Sequence, residues 1–259
     1  MVVKFVHKVS RGSRFNQIYV PKIMEAEFEV GDIVEVQLIK KKTQLHYSKG
    51  LRKLSVFKEN LIKEIFSFLR DYNNIRQIFI FGSFLTEKVD YNDIDVLIIV
   101  EKESDDFERK IYDSLINEFN LKFHVISILE ERLDRLLGIC PLTRNMLYFY
   151  VSNEEFSSIR ERKIDKNHIR FLLMVAEDLL EVELNDGRVY YDVLRRLVTI
   201  ENFLNGLEER HEKIDTTIEK LIDKRKLAFL RKGDILDKKF LNEIKKIIKI
   251  KLSGIYKKI

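Results

Sequence analysis

The sequence has one cysteine, Cys140, two prolines, nine glycines and no tryptophan in 259 residues. A lone cysteine excludes an internal disulfide and a CxxC metal knuckle, and it fits a reducing, cytoplasmic setting. No stretch reaches the roughly 18 consecutive apolar residues of a membrane span, and the opening MVVKFVHKVSRGSR lacks the apolar core of a signal peptide. No membrane partner is expected. Neither GxxxxGK[ST] nor GxGxxG occurs, so P-loop and dinucleotide-binding chemistry are left out. Few glycines and prolines beside abundant Lys, Glu and Ile make a balance familiar from thermophile proteins.

What is present is ample material for cores. Hydrophobic residues make up 45% of the chain and charged residues 34%, a globular composition. The length allows two or three units of roughly 100–150 residues. The net charge of +5 is unevenly placed: residues 231–259 carry ten Lys or Arg against three acids, so the preceding 230 residues sum to −2. A basic terminal segment is implied, and a generally basic surface is not.

The periodicities divide the chain into three parts. KFVHKVS, NQIYVP and DIVEVQLI read as short strands in the first forty residues, and KKKTQLHYSKG at 40–50 reads as a linker. Residues 55–69 repeat apolar positions at helical spacing. Strands follow at 77–81 and 94–100, then a helix over DDFERKIYDSLINEF and a strand in LKFHVISI. Beyond residue 140 the spacing becomes helical, at about 168–182, 189–206, 210–230 and 237–252. The expected class is α+β. It comprises a β unit over 1–45, a mixed α/β domain over 52–150 and a helical domain over 151–259.

The chemistry concentrates in IFIFGSFLTEKVDYNDIDVLIIV, residues 78–100. Strand alternation sends Asp93 and Asp95 to one face and Ile94 into the core. Two carboxylates so close are stable either well solvated or sharing a cation. Mg²⁺ accepts one or two carboxylates together with phosphate oxygens. Gly82 permits close backbone approach, and Ser83 can cap a short helix that favours phosphate. An EF-hand reading of DYNDID fails, because its sixth position must be glycine and is Asp95.

Helix, apolar strand, Gly82-Ser83, Asp93-x-Asp95 and a second apolar strand together resemble the nucleotidyltransferase superfamily of DNA polymerase β, over about residues 55–135. The resemblance implies that Gly82 and Ser83 contact the phosphates of an NTP, with ATP the expected substrate. It implies that Asp93 and Asp95 bind Mg²⁺ and that a nucleotidyl group passes to a hydroxyl on a protein, nucleic acid or small molecule. The family's third carboxylate, on a later strand, has no counterpart in LKFHVISI, where His124 is the ionisable residue nearest the middle. Three outcomes stay open: His124 acts as base, an acid from elsewhere completes the site, or the domain binds nucleotide without turnover.

The N-terminal stretch, with Ile18-Tyr19-Val20-Pro21 and then Val30-Gly31-Asp32 before an alternating strand, resembles the swapped-hairpin family of transition-state regulators and antitoxins. That resemblance implies a homodimer through residues 1–45. Lys8, Arg11 and Arg14 could contact a nucleic-acid backbone, but Glu25, Glu27 and Glu29 repel phosphate. The helical third resembles the all-α partner domains of such nucleotidyltransferases. There Arg162 and His168 match a loose nuclease spacing that coincidence explains better, and Tyr191, Asp192 and Arg195 lie on neighbouring faces of one helix.

Overall fold

The computed structural model describes residues 4–37, 42–87, 91–208 and 210–259. The chain forms two compact units, Met1–Lys42 and Thr43–Ile259. The expected boundary near residue 150 therefore falls inside the second unit.

The first unit contains little regular structure. β1 (Ser10–Arg11) pairs antiparallel with β2 (Asn16–Gln17), and a 3₁₀ turn spans Lys22–Met24. Among the described residues KFVHKVS and NQIYVP contribute only to these two-residue strands, and residues 32–37 of DIVEVQLI carry no strand, its last two residues lying outside the described ones. Its apolar members lack cover: Ile33 is 100% exposed and Val36 64%. Alternation makes a strand only where another strand and a covered face complete it.

The second unit is built on a sheet ordered β3-β7-β4-β5-β6. Its strands are β3 (His46–Tyr47), β4 (Ile75–Phe81), β5 (Ile94–Val100), β6 (Phe123–Leu129) and β7 (Tyr150–Ser152). β5 runs parallel to β6, and the other pairings are antiparallel. The supposed linker at 40–50 thus supplies an edge strand, held by His46 opposite Ser152. With mixed strand directions and the helices that follow, the class is α+β.

Alternation sorts the sheet's two faces. Ile78, Ile80, Ile94, Val96 and Ile98 pack against α1 (Val56–Leu69) and α2 (Phe107–Phe119), which contribute Ile62, Ile65, Ile111 and Leu115. Phe79, Phe81, Leu97, Ile99 and Ile128 face the other way, against Leu133 and Leu137 of α3 (Glu130–Ile139). Ser55 caps α1 by accepting from the Lys58 N–H, a bond of the kind that contributes about 1 kcal/mol.

α4 (Pro141–Met146) leads from the sheet into the helical layer: Cys140 and Leu142 pack into the helical core, and α4 lies on α6. That layer consists of α5 (Lys166–Glu181), α6 (Gly187–Leu204), α7 (His211–Ile222), α8 (Lys224–Lys232) and α9 (Lys238–Tyr256). Asp165, Asp186, Asp223 and Asp237 cap α5, α6, α8 and α9. The single helix expected over 210–230 is two. Asp223 stands at φ 66° and ψ 164°, and its carboxylate accepts from the Lys226 N–H to start α8. The apolar repeat runs on across the break, so spacing alone conceals it.

Candidate functional site

The site lies where β4, β5 and β6 end side by side. Antiparallel register sets Phe81 opposite Asp95, and parallel register sets Asp95 opposite His124. Asp95 therefore shares a face with Leu97 and Ile99, and His124 shares it with Ile126 and Ile128. Ile94 between the aspartates is fully buried, as the alternation requires. His124 Nδ1 lies 3.0 Å from Asp95 Oδ1, with the imidazole 57% exposed and the carboxylate 19%. Two residues separated by 29 positions meet because adjacent parallel strands bring them into register.

Burial pushes the Asp95 carboxyl above its ordinary pKa; the bond from His124 opposes this, and the Asp93 charge adds to it. Asp93, just ahead of β5, is half-buried. Burial and the neighbouring charge thus cost the Asp95 carboxylate more than its His124 bond returns, and a cation would relieve that cost.

Gly82 opens the 3₁₀ turn Gly82–Leu85 directly after β4. Its φ is +77°, and a Cβ there would collide with the Asp95 carboxylate. Both the backbone angle and the carboxylate resting on its Cα require glycine. Ser83 is exposed within the turn and caps nothing, because the residue ahead of the turn is Phe81. Its carbonyl accepts from Thr86, at 3.1 Å from the N–H and 2.7 Å from the hydroxyl.

Lys58 is the residue that sequence reasoning passed over. It is only 8% exposed, and its ammonium donates to the Thr86 carbonyl at 2.8 Å. The rings of Phe84 and Tyr91 lie 5.2 and 5.7 Å from it. Burial lowers the Lys58 pKa. This cation ties α1 to the end of the Gly-Ser turn, with the aromatic faces returning part of the lost hydration. Helical spacing sets it on the buried face, three and four residues ahead of Leu61 and Ile62, and only its charge argued for solvent.

The donor set fits one divalent cation in part. Among the described residues no three His, Cys, Asp or Glu side chains gather to hold a metal ion by themselves. Asp93 and Asp95 supply two carboxylates, and further ligands would come from phosphate and water, which is how Mg²⁺ is commonly held.

The remaining candidates belong to the helical layer. Tyr191 donates to Asp215 at 2.8 Å and accepts from Arg231 at 3.2 Å, and Arg231 pairs with Asp215 at 2.5 Å. That network fastens α6, α7 and α8 together. Arg195 lies over the Tyr191 ring, and burial raises the pKa of Asp192. Arg162, ahead of α5, donates to the Leu207 carbonyl, while His168 sits in the first turn of α5 with its pKa lowered by burial. No helix among the described residues is long and apolar enough to cross a membrane.

No curated protein matches the chain. The family model described as polymerase beta, nucleotidyltransferase, matches residues 63–138, from within α1 to near the end of α3. The matched segment contains Gly82, Ser83, Asp93, Asp95 and His124, and it supports placing this part of the chain in the nucleotidyltransferase superfamily, with nucleotidyl transfer as its general chemistry.

Proposed function

We propose that the chain transfers a nucleotidyl group from an NTP, with ATP the first choice, to a hydroxyl on a protein, nucleic acid or small molecule. The observation that carries this reading is the meeting of the Gly82 turn, Asp95 and His124 at the ends of three adjacent strands. In it, the turn's backbone and the Ser83 hydroxyl hold phosphate oxygens. Asp93 and Asp95 hold Mg²⁺, which when bound would neutralise phosphate charge and orient the reacting groups. His124 takes the proton from the acceptor hydroxyl, whose oxygen bonds to the α-phosphorus as diphosphate leaves. Asp95 steadies the imidazole through Nδ1, which leaves Nε2 for the proton.

Labelled ATP, Mg²⁺ and cell lysate should yield a labelled product, and Asp93→Ala/Asp95→Ala should abolish it. Equal labelling by the double variant would refute the assignment.

A second reading rests on the absence of Asp and Glu from β6. Here the domain binds a nucleotide and Mg²⁺ without turnover, as part of a dimeric, antitoxin-like or regulatory nucleotide- or nucleic-acid-binding protein. Calorimetry beside a turnover assay separates the two: binding with no product favours the second reading, and sustained turnover removes it. Under either reading, residues 1–45 pair two copies. Support comes from the apolar side chains this unit leaves uncovered, among them Phe15 at 79% and Ile23 at 93% exposed. The single buried cysteine suits a cytoplasmic protein.

A further inference from the structure

The fold sorts most basic residues of the C-terminal segment into two sets. One set is used within the helical layer. Lys245 donates to the carbonyls of Leu180 and Val182, Lys251 pairs with Glu201 at 2.6 Å, and Lys258 reaches Asn205 at 2.9 Å. The other set is Lys239, Lys246 and Lys249 of α9, with Lys257 at its C-cap. All four are exposed, and none forms an ion pair with another described residue.

Helical geometry puts Lys239, Lys246 and Lys257 on the side opposite the buried row Leu241, Ile244, Ile248, Leu252 and Ile255, with Lys249 on the flank between. Asn242 and Ser253, both exposed, lie among them, and one acid, Glu243, stands beside Lys239 and Lys246. It is the one acid of α9 and is bonded to Lys226 at 2.6 Å. From Lys239 to Lys257 the row runs about 27 Å, at roughly 1.5 Å per residue.

A basic amphipathic helix can serve a membrane surface or a polyanion in water. The membrane needs a free apolar face. Here that face is the bundle's own core, and Ile250, 60% exposed, is the one large apolar side chain on the outward side. What remains for a partner is a line of ammonium groups with two small polar side chains. A phosphodiester backbone offers negative charges at short, regular intervals, and neutralising them releases condensed counterions. Lysine meets phosphate as a point charge. The row lacks the arginine, and all but one of the amides, that read base edges in pairs of hydrogen bonds.

We propose that the outward face of α9 docks the phosphate backbone of nucleic acid without sequence preference. The surface stands independently of the nucleotide site.

Fluorescence anisotropy with labelled DNA and RNA duplexes of about 20 base pairs, titrated with the full chain between about 50 and 200 mM salt, tests it. Binding should weaken steeply with salt. The four lysines contribute about −3.6 to the slope of log K against log salt, at about −0.9 per phosphate neutralised. Lys239→Gln/Lys246→Gln/Lys249→Gln/Lys257→Gln should reduce affinity at least tenfold and flatten the slope, with an unchanged melting curve because these side chains are exposed. Lys8→Gln/Arg11→Gln/Arg14→Gln should keep most of the affinity. The assignment is overturned if the quadruple variant binds as wild type does, or if the triple variant alone loses binding. It is equally overturned if wild type binds neither duplex at the lowest salt, including where it binds phosphatidylserine vesicles instead.

Discussion

The two units of this chain use similar residues to opposite effect. In the first, Val6, Ile23, Val30 and Ile33 are between 79% and 110% exposed. In the second, Ile62, Ile65, Ile78 and Ile98 are at 0%. A β-branched side chain stabilises only when other atoms replace the water around it, and full burial of one contributes about 1.5–3 kcal/mol. In residues 43–259 the sheet, its flanking helices and the helical layer provide that cover within one chain. The described residues of the first unit leave Val6, Ile23, Val30 and Ile33 open, and the proposed pairing of two copies would cover them.

The comparison breaks most visibly by truncation. The full chain should sediment at about twice its 31.0 kDa mass, and deletion of residues 1–45 should give a monomer that still melts cooperatively. A truncated chain that stays dimeric would place the interface elsewhere.

Catalysis tests how far the order of the second unit reaches into its site. His124→Ala should reduce turnover by roughly 10²–10⁴-fold, the usual contribution of a positioned general base, with Mg-ATP affinity nearly unchanged. His124→Asp should retain or raise activity. An alanine variant within a few-fold of wild type in steady-state kinetics would leave His124 as an ordinary strand residue.

Paired substitutions sharpen the contrast in stability. Ile65→Ala should lower the unfolding free energy of the second unit by about 2–5 kcal/mol, by lost burial and a residual cavity. Ile33→Ala should change that unfolding by less than about 0.5 kcal/mol while weakening the dimer. Chemical denaturation and sedimentation read the two effects separately, and equal losses at both positions would erase the distinction.

At the turn the expected effect on stability is smaller than at Ile65. Gly82→Ala places an alanine at positive φ, at a cost of about 1–2 kcal/mol, and displaces the Asp95 carboxylate. Calorimetry should show Mg-ATP affinity at least tenfold weaker, alongside a modest drop in melting temperature. Wild-type affinity in that variant would mean that the turn does not hold phosphate.

The sequence by itself determined the elements whose signals are local. β5 ends where the apolar run does, because Glu101 follows five consecutive aliphatic residues at 96–100, and it begins two residues before that run, at Ile94. The Gly-Ser turn and the alternation that sends Asp95 away from Ile94 were legible for the same reason: each depends on residues within a few positions. Only the tertiary structure decided what depends on distant partners. Three-residue β7 and two-residue β3 are too short to carry a period, and they form because the sheet offers them an edge. Asp95 meets His124 through strand register. Lys58, charged and on a helix, is buried because the 82–86 turn closes over it with the Thr86 carbonyl and the Phe84 ring, and the Tyr91 ring lies beside it. The apolar residues of the first unit mark the limit of both: their alternation is visible in the chain, but alternation makes a strand only where a neighbouring strand and a covered face complete it, and the described residues 32–37 have neither.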